Sequence, residues 1–116
     1  MSAFLTIPRA IQFLEENNWR DISIKCKKQV VETRETFLKY FNIPTPCPNS
    51  WLGQMASIPL PINNAIDFKH TLLEKYNIQV PIFQWEEKIY LRYSIQGYNS
   101  IDDLDKLFTA VKELLR

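Results

Sequence analysis

From Pro8 onward, Ile11, Phe13 and Leu14, then Trp19, Ile22, Cys26, Val30, Thr33, Phe37 and Phe41 advance in steps of three and four, the period of a helical stripe. Lys25, Lys28, Glu32, Glu35 and Lys39 fall on the opposite face. Asn17 and Asn18 have side chains that compete for the backbone, so the region divides there into a short helix and one of about six turns. Pro44, Pro46 and Pro48 each fix φ and remove a donor, which makes residues 42–50 an extended connector. Gln54 to Leu60 then reads as a strand, with Ala56, Ile58 and Leu60 on one face and Met55 and Ser57 on the other; Pro59 and Pro61 confine it to an edge or a strand end.

Asp67, Asn63 or Asn64 can cap a third helix with core positions Phe68, Leu72, Leu73 and Tyr76, and Asn77 stands where a helix commonly ends in the left-handed conformation. Val80 to Trp85 and Lys88 to Ile95 are strand-like runs separated by Glu86 and Glu87, which is hairpin spacing. Two glutamates are not the chemistry of a tight two-residue turn, so a looser one is expected. Ser100, with Asp103 as an acidic capping-box partner, opens a last helix whose stripe runs through Leu104, Leu107, Phe108, Val111, Leu114 and Leu115. This order predicts an α+β fold, a small, mostly antiparallel sheet of about three strands with helices packed on one face.

Composition narrows the functions. The 116 residues, 46% of them hydrophobic, suffice for one domain with a core of its own, residues 1–116. Only Gly53 and Gly97 are present, far apart, so neither a dinucleotide fingerprint nor a phosphate loop can be built. A single histidine, His70, rules out sites that need two imidazoles on one ion, and no residue is assigned to a metal. His70 falls beside the stripe of its helix, paired with no nucleophile by any motif, and reads as a helix-surface residue. Cys26 and Cys47 lack redox or zinc spacing and read as reduced thiols, Cys26 inside an apolar stripe. The net charge of +1, with scattered lysines, gives no footprint for nucleic acid or an anionic membrane. No apolar run approaches the roughly 20 residues of a membrane span. The first residues lack the pattern of a signal peptide, and a cytoplasmic location is expected.

One residue departs from the pattern. In the strand from Lys88, the period of two places Ile89, Leu91, Tyr93 and Ile95 toward the helices and Lys88, Tyr90, Arg92 and Ser94 on the other face. Arg92 thus stands mid-strand between an aromatic ring and a hydroxyl. The hairpin partner adds Phe83 and Trp85, or Gln84, depending on register. A guanidinium restrained by aromatics suits bidentate recognition of a carboxylate or phosphate; a solvated arginine on an open sheet face is the plainer alternative. Phe83, Trp85, Tyr90 and Tyr98 are more large rings than the wet side of a small sheet needs, which suits contact with a missing domain, a second subunit or a ligand.

The stretch Ile89-Tyr90-Leu91-Arg92-Tyr93-Ser94-Ile95-Gln96-Gly97-Tyr98-Asn99-Ser100, followed by Asp102, Asp103 and Leu104, resembles the C-terminal signature of class V aminotransferase-like enzymes, most of all the isopenicillin N epimerase branch. Phe4 to Leu14 looks like the helix that follows the central domain there, and Met55 to Pro61 and Ile78 to Pro81 look like small-domain strands. The resemblance covers essentially Ser2 to Leu115. It implies the C-terminal small domain of a fold type I pyridoxal-phosphate enzyme, packed on a large domain or subunit that binds the cofactor. It gives Arg92 the role of holding the amino-acid substrate's carboxylate, and sets Tyr98 and Asn99 beside the site, the asparagine helping to start the last helix.

Pyridoxal chemistry needs a Schiff-base lysine and a carboxylate against the pyridine nitrogen, and in the family both come from the large domain. None of the nine lysines here (25, 27, 28, 39, 69, 75, 88, 106 and 112) stands in a cofactor-lysine motif. The expectation is a small domain without its catalytic half, with no catalytic residue, no cofactor of its own and no activity alone. The alternative is a non-enzymatic binding or dimerisation module, a homodimer included, that uses the aromatic sheet face around Arg92.

Overall fold

The computed structural model describes residues 2–115. After a 3₁₀ segment at Ser2–Thr6 come α1 (Ile7–Glu16), α2 (Trp19–Tyr40), β1 (Met55–Leu60), α3 (Ala65–Tyr76), β2 (Ile82–Trp85), β3 (Lys88–Ser94) and α4 (Ile101–Leu114). The fold is α+β. Its antiparallel sheet has three strands in the order β1-β3-β2, so the proline-bearing β1 is an edge, as its sequence requires.

The register pairs Ser57 with Arg92 and Ile58 with Leu91 on one side of β3, and Phe83 with Tyr90 and Trp85 with Lys88 on the other. Register therefore puts Phe83 and Trp85, not Gln84, on the face of Arg92. The opposite face carries Ala56, Ile58, Leu60, Ile89, Leu91 and Tyr93, all buried beneath the helices. α2 packs on β1, α3 on β2, and α4 against both of those helices. Val30 and Phe37 of α2, Leu72 of α3 and Leu107 and Val111 of α4 meet over the sheet. Phe37 sits edge-on to Phe108, with centroids 5.1 Å apart, an arrangement that adds to the burial of both rings.

Local chemistry sets the element ends. Asn64 caps α3, its Oδ1 accepting from the amides of Ile66 and Asp67, and Asn77 closes that helix at φ 54°. Asp103 accepts from the amide of Ser100 at 2.9 Å and so begins α4. The hairpin departs from expectation. Trp85 pairs directly with Lys88, so the turn stays at two residues, and the chain accommodates Glu86 at φ 51° instead of loosening.

One sequence expectation about burial fails. Leu73, read as core, is 45% exposed because the face of α3 that meets the sheet is centred on Phe68 and Leu72. The stripe of α1 buries nothing: Ile11, Phe13 and Leu14 remain 52%, 53% and 41% exposed. The break at Asn18, which takes φ 50°, turns α1 away from the layer that covers the sheet. The molecule is accordingly elongated, 48 × 29 × 29 Å.

Candidate functional site

Three segments distant in sequence enclose a cavity of about 460 Å³: residues 77–81 before β2, the end of β3, and the first turns of α4. The backbone builds it. The amide of Arg92 donates to the carbonyl of Pro81 at 2.9 Å, carrying the hairpin pairing back beyond β2. At the end of β3, Ile95 donates its amide to the Gln54 carbonyl at 2.8 Å, and Gln54 Nε2 returns a bond to the Ile95 carbonyl at 2.9 Å.

Arg92 lines this cavity with Gln79, Asn99, Asp103 and Lys106. Its guanidinium lies 6.0 Å from the Phe83 ring centre, and Phe83 is stacked on Tyr90 with centroids also 6.0 Å apart. The rings restrain the arginine without consuming its donors. Its guanidinium forms no hydrogen bond or ion pair with any described residue. An exposed guanidinium held on a rigid strand, with its fork open, is arranged to accept a planar anion such as a carboxylate.

Asn99 reaches the cavity wall in a different capacity. Its Oδ1 accepts the amide of Gln96 at 3.0 Å, so the side chain ties the loop that leads into α4. Gly97 lies in the same loop where a Cβ would come within 3.1 Å of Ile22, so the absence of a side chain permits its close approach to α2. Tyr98 is not brought in. It is 86% exposed and lines no part of the cavity that holds Arg92 and Asn99. Asp103 holds its proton less tightly than an ordinary aspartate, first because the Ser100 amide donates to it, with Asn99, Ser100 and Lys106 adding to the effect.

Whether these residues could themselves anchor pyridoxal phosphate is a question of lysine environment. A Schiff-base lysine is activated by desolvation or by a neighbouring cation. Among the described residues no lysine is buried, and Lys106 is the one that borders the cavity, exposed on α4. The chain's own residues do not fit that role.

A second polar cluster escaped the sequence reading. Arg34 is 1% exposed inside α2; its Nη1 donates to Cys47 Sγ at 3.3 Å and its Nη2 to Asn49 Oδ1, while Nε has no partner. Asn49 in turn donates to Glu35 at 2.8 Å. The guanidinium thereby pins the proline-rich connector to α2. A sequence signal existed, since Arg34 stands four residues after Val30 and three before Phe37, inside the stripe itself. Nearby, the Tyr93 hydroxyl donates to the Val30 carbonyl at 2.7 Å. Burial pushes the phenol well above its ordinary range, and the Arg34 charge offsets this in part. Cys26 is buried and Cys47 partly so, both as free thiols. His70 is exposed beside Glu74, its Nδ1 3.3 Å from the carboxylate, at the surface position its sequence suggests.

No protein-family model matches the chain. It is 26% identical, over 132 aligned positions, to the probable L-cysteine desulfhydrase, chloroplastic, of Arabidopsis thaliana; the match takes in 99% of this chain and 28% of that protein. In fold it is similar to 8-amino-7-oxononanoate synthase from Francisella tularensis, with a TM-score of 0.66 and 24% identity over 90% of this chain and 31% of that one. The chain thus spans less than a third of the length of either enzyme. The α+β arrangement described above recurs inside a much larger protein. Among the described residues no helix is long and apolar enough to cross a membrane.

Proposed function

We propose that this chain is the small, C-terminal domain of a pyridoxal-phosphate-dependent enzyme of the class V aminotransferase type, closest in kind to isopenicillin N epimerase. In this reading it contributes Arg92 as the grip for the amino-acid substrate's carboxylate and performs no turnover alone. The observation that carries the proposal is the state of Arg92: unpaired, held by Phe83, on the rim of a cavity. Supporting it, the chain that resembles the class V signature from Ile89 to Leu104 is matched over 99% of its length by a protein named for acting on L-cysteine. L-cysteine carries the carboxylate such an arginine would hold.

Pyridoxal phosphate, with its anchoring lysine, belongs in this proposal to a large domain or subunit that supplies the bond-breaking chemistry. The task of this chain is positioning: a bidentate grip fixes where the substrate's α-carbon lies relative to a cofactor held by the other body. Tyr98 and Asn99 act on the loop before α4 and not on substrate. A cytoplasmic, reducing setting is part of the same reading.

The test is a titration of the chain with simple amino acids, followed on the arginine side-chain NMR signals. The Arg92 Nε resonance should move and saturate, and Arg92→Gln should abolish the effect, while Arg34 stays unmoved in its buried site. Equal, unsaturable drifts at Arg9, Arg20 and Arg92 would overturn the assignment. Cofactor-dependent turnover of L-cysteine by the isolated chain would overturn the division of labour.

A further inference from the structure

Arg34 is a buried charge without a counter-charge. It sits in α2 at 1% exposure, and among the described residues no carboxylate lies within ion-pair distance of it. Both of its acceptors are neutral: Cys47 Sγ, 3.3 Å from Nη1, and the side-chain oxygen of Asn49 on Nη2. Nε has no acceptor at all. The neighbouring Glu35 carboxylate is engaged by Asn49 Nδ2 at 2.8 Å. The Tyr93 phenol feels the Arg34 charge, but burial holds its proton well above the ordinary range, so it stays neutral too. A cation this deep is ordinarily paired, because its desolvation is offset only by an anion close by.

Of the groups that touch the guanidinium, one can become that anion. Cys47 is a free, half-buried thiol between Pro46 and Pro48, both of them exposed. A thiol is a weak acceptor, so the contact with Nη1 leaves the cation poorly satisfied. A hydroperoxide changes this in two steps. In the first, the sulfur lone pair attacks a peroxide oxygen: an S–O bond forms, the O–O bond breaks and the leaving oxygen takes the thiol proton. Sulfur is thereby oxidised by two electrons to a sulfenic acid, and hydrogen peroxide is reduced to water. A second peroxide repeats the transfer and gives a sulfinic acid, which releases its proton at neutral pH. The sulfinate presents two anionic oxygens, the acceptor set that a guanidinium fork matches.

Cys26 supplies the internal contrast. It is 4% exposed within the apolar core, and among the described residues no cation is hydrogen-bonded to it. It offers a peroxide neither access nor a charge that would hold the product.

We propose that Cys47 is a site of oxidative modification: a hydroperoxide converts it to a sulfinate that becomes the counter-ion of Arg34 and fastens the proline-rich connector to α2. The inference rests on the unpaired buried charge and is independent of the role assigned to Arg92.

Treating the full chain with hydrogen peroxide and mapping its peptides by mass spectrometry tests it. Cys47 should gain two oxygens at least about tenfold faster than Cys26. The oxidised protein should unfold at a higher urea midpoint than the reduced one, with identically treated Cys47→Ser as the baseline for oxidation elsewhere. In Arg34→Gln, which removes the charge, that rise should vanish. A second comparison needs neither peroxide nor a change at Arg34: Cys47→Asp sets a carboxylate beside the guanidinium and should unfold at a higher midpoint than Cys47→Asn. Oxidation of Cys26 at the same rate, a disulfide between two copies as the end product, or a midpoint that oxidation leaves unchanged or lowers would each overturn the proposal. So would a Cys47→Asp protein no more stable than Cys47→Asn.

Discussion

Tyr93→Phe removes one buried hydroxyl and keeps the ring, which stays parallel to Phe37 at a centroid distance of 6.4 Å. The lost group is the donor to the Val30 carbonyl, at 2.7 Å and 3% exposure, so the variant gives up one buried hydrogen bond. That costs about 1 kcal/mol at neutral pH, a fall in melting temperature of about 4 °C for a domain of this size. The pH dependence is the sharper part. An unfolded tyrosine ionises near pH 10, whereas burial keeps Tyr93 protonated well beyond that, with Arg34 opposing only in part. A folded-state value raised above the unfolded one gives stability that is fully present below about pH 10 and is lost as pH rises toward the folded value, at about 1.4 kcal/mol per pH unit. By pH 11 the wild-type advantage of about 1 kcal/mol is cancelled or slightly reversed. Urea unfolding of both proteins at pH 8, 10 and 11 reads this directly, because titrations common to both cancel in the difference. A difference that stays constant from pH 8 to pH 11 would refute the reasoning.

Three further outcomes follow from other parts of the structure. Leu107→Ala, at 4% exposure in the centre of α4, should cost about 2 to 5 kcal/mol, and Arg92→Ala less than about 0.5, in denaturant titration; equal losses would count against a binding role for Arg92. Arg34→Met should be tolerated within about 1 kcal/mol, because burying that charge has a cost of its own, whereas Arg34→Lys, which keeps a charge but loses the fork to Cys47 and Asn49, should be the more damaging in the same titration. Asp103 stabilises the start of α4 in its ionised form and, with its proton affinity lowered, keeps doing so below the usual carboxylate range, losing the effect as pH falls through the lowered value. Asp103→Ala should fray the first turn of α4 already at neutral pH, and amide exchange at residues 102–104 would show it.

The elements were legible where one physical rule acted alone. The period-two run of β3, the prolines that keep β1 at an edge and the Ser100–Asp103 cap are local rules, and the structure follows them. Misreadings arose where a local pattern had to be assigned a partner. The stripe of α1 has the same spacing as that of α2, but periodicity says which side of a helix is apolar and not what lies against it. Arg34 was passed over for the converse reason. Its position lies within the stripe, but a charged side chain is seldom fully buried, and its partners Cys47 and Asn49 come from a connector whose path the helical pattern does not encode. At the hairpin, pairing of Trp85 with Lys88 outweighed the poor turn chemistry of Glu86, because the ladder and the aromatic pair beside it fix the register.

The same distinction governs the candidate site. Arg92 could be singled out from one strand, because a charge mid-strand between a ring and a hydroxyl is a local anomaly. The cavity beside it could not, since residues 77–81, β3 and α4 meet only through the antiparallel return of the chain. That geometry also limits the chemistry. A rigid strand, an open guanidinium and a cavity suit a carboxylate, and among the described residues no lysine has the buried setting that a cofactor anchor requires. In the proposed reading a reaction therefore needs a second body placed over Arg92.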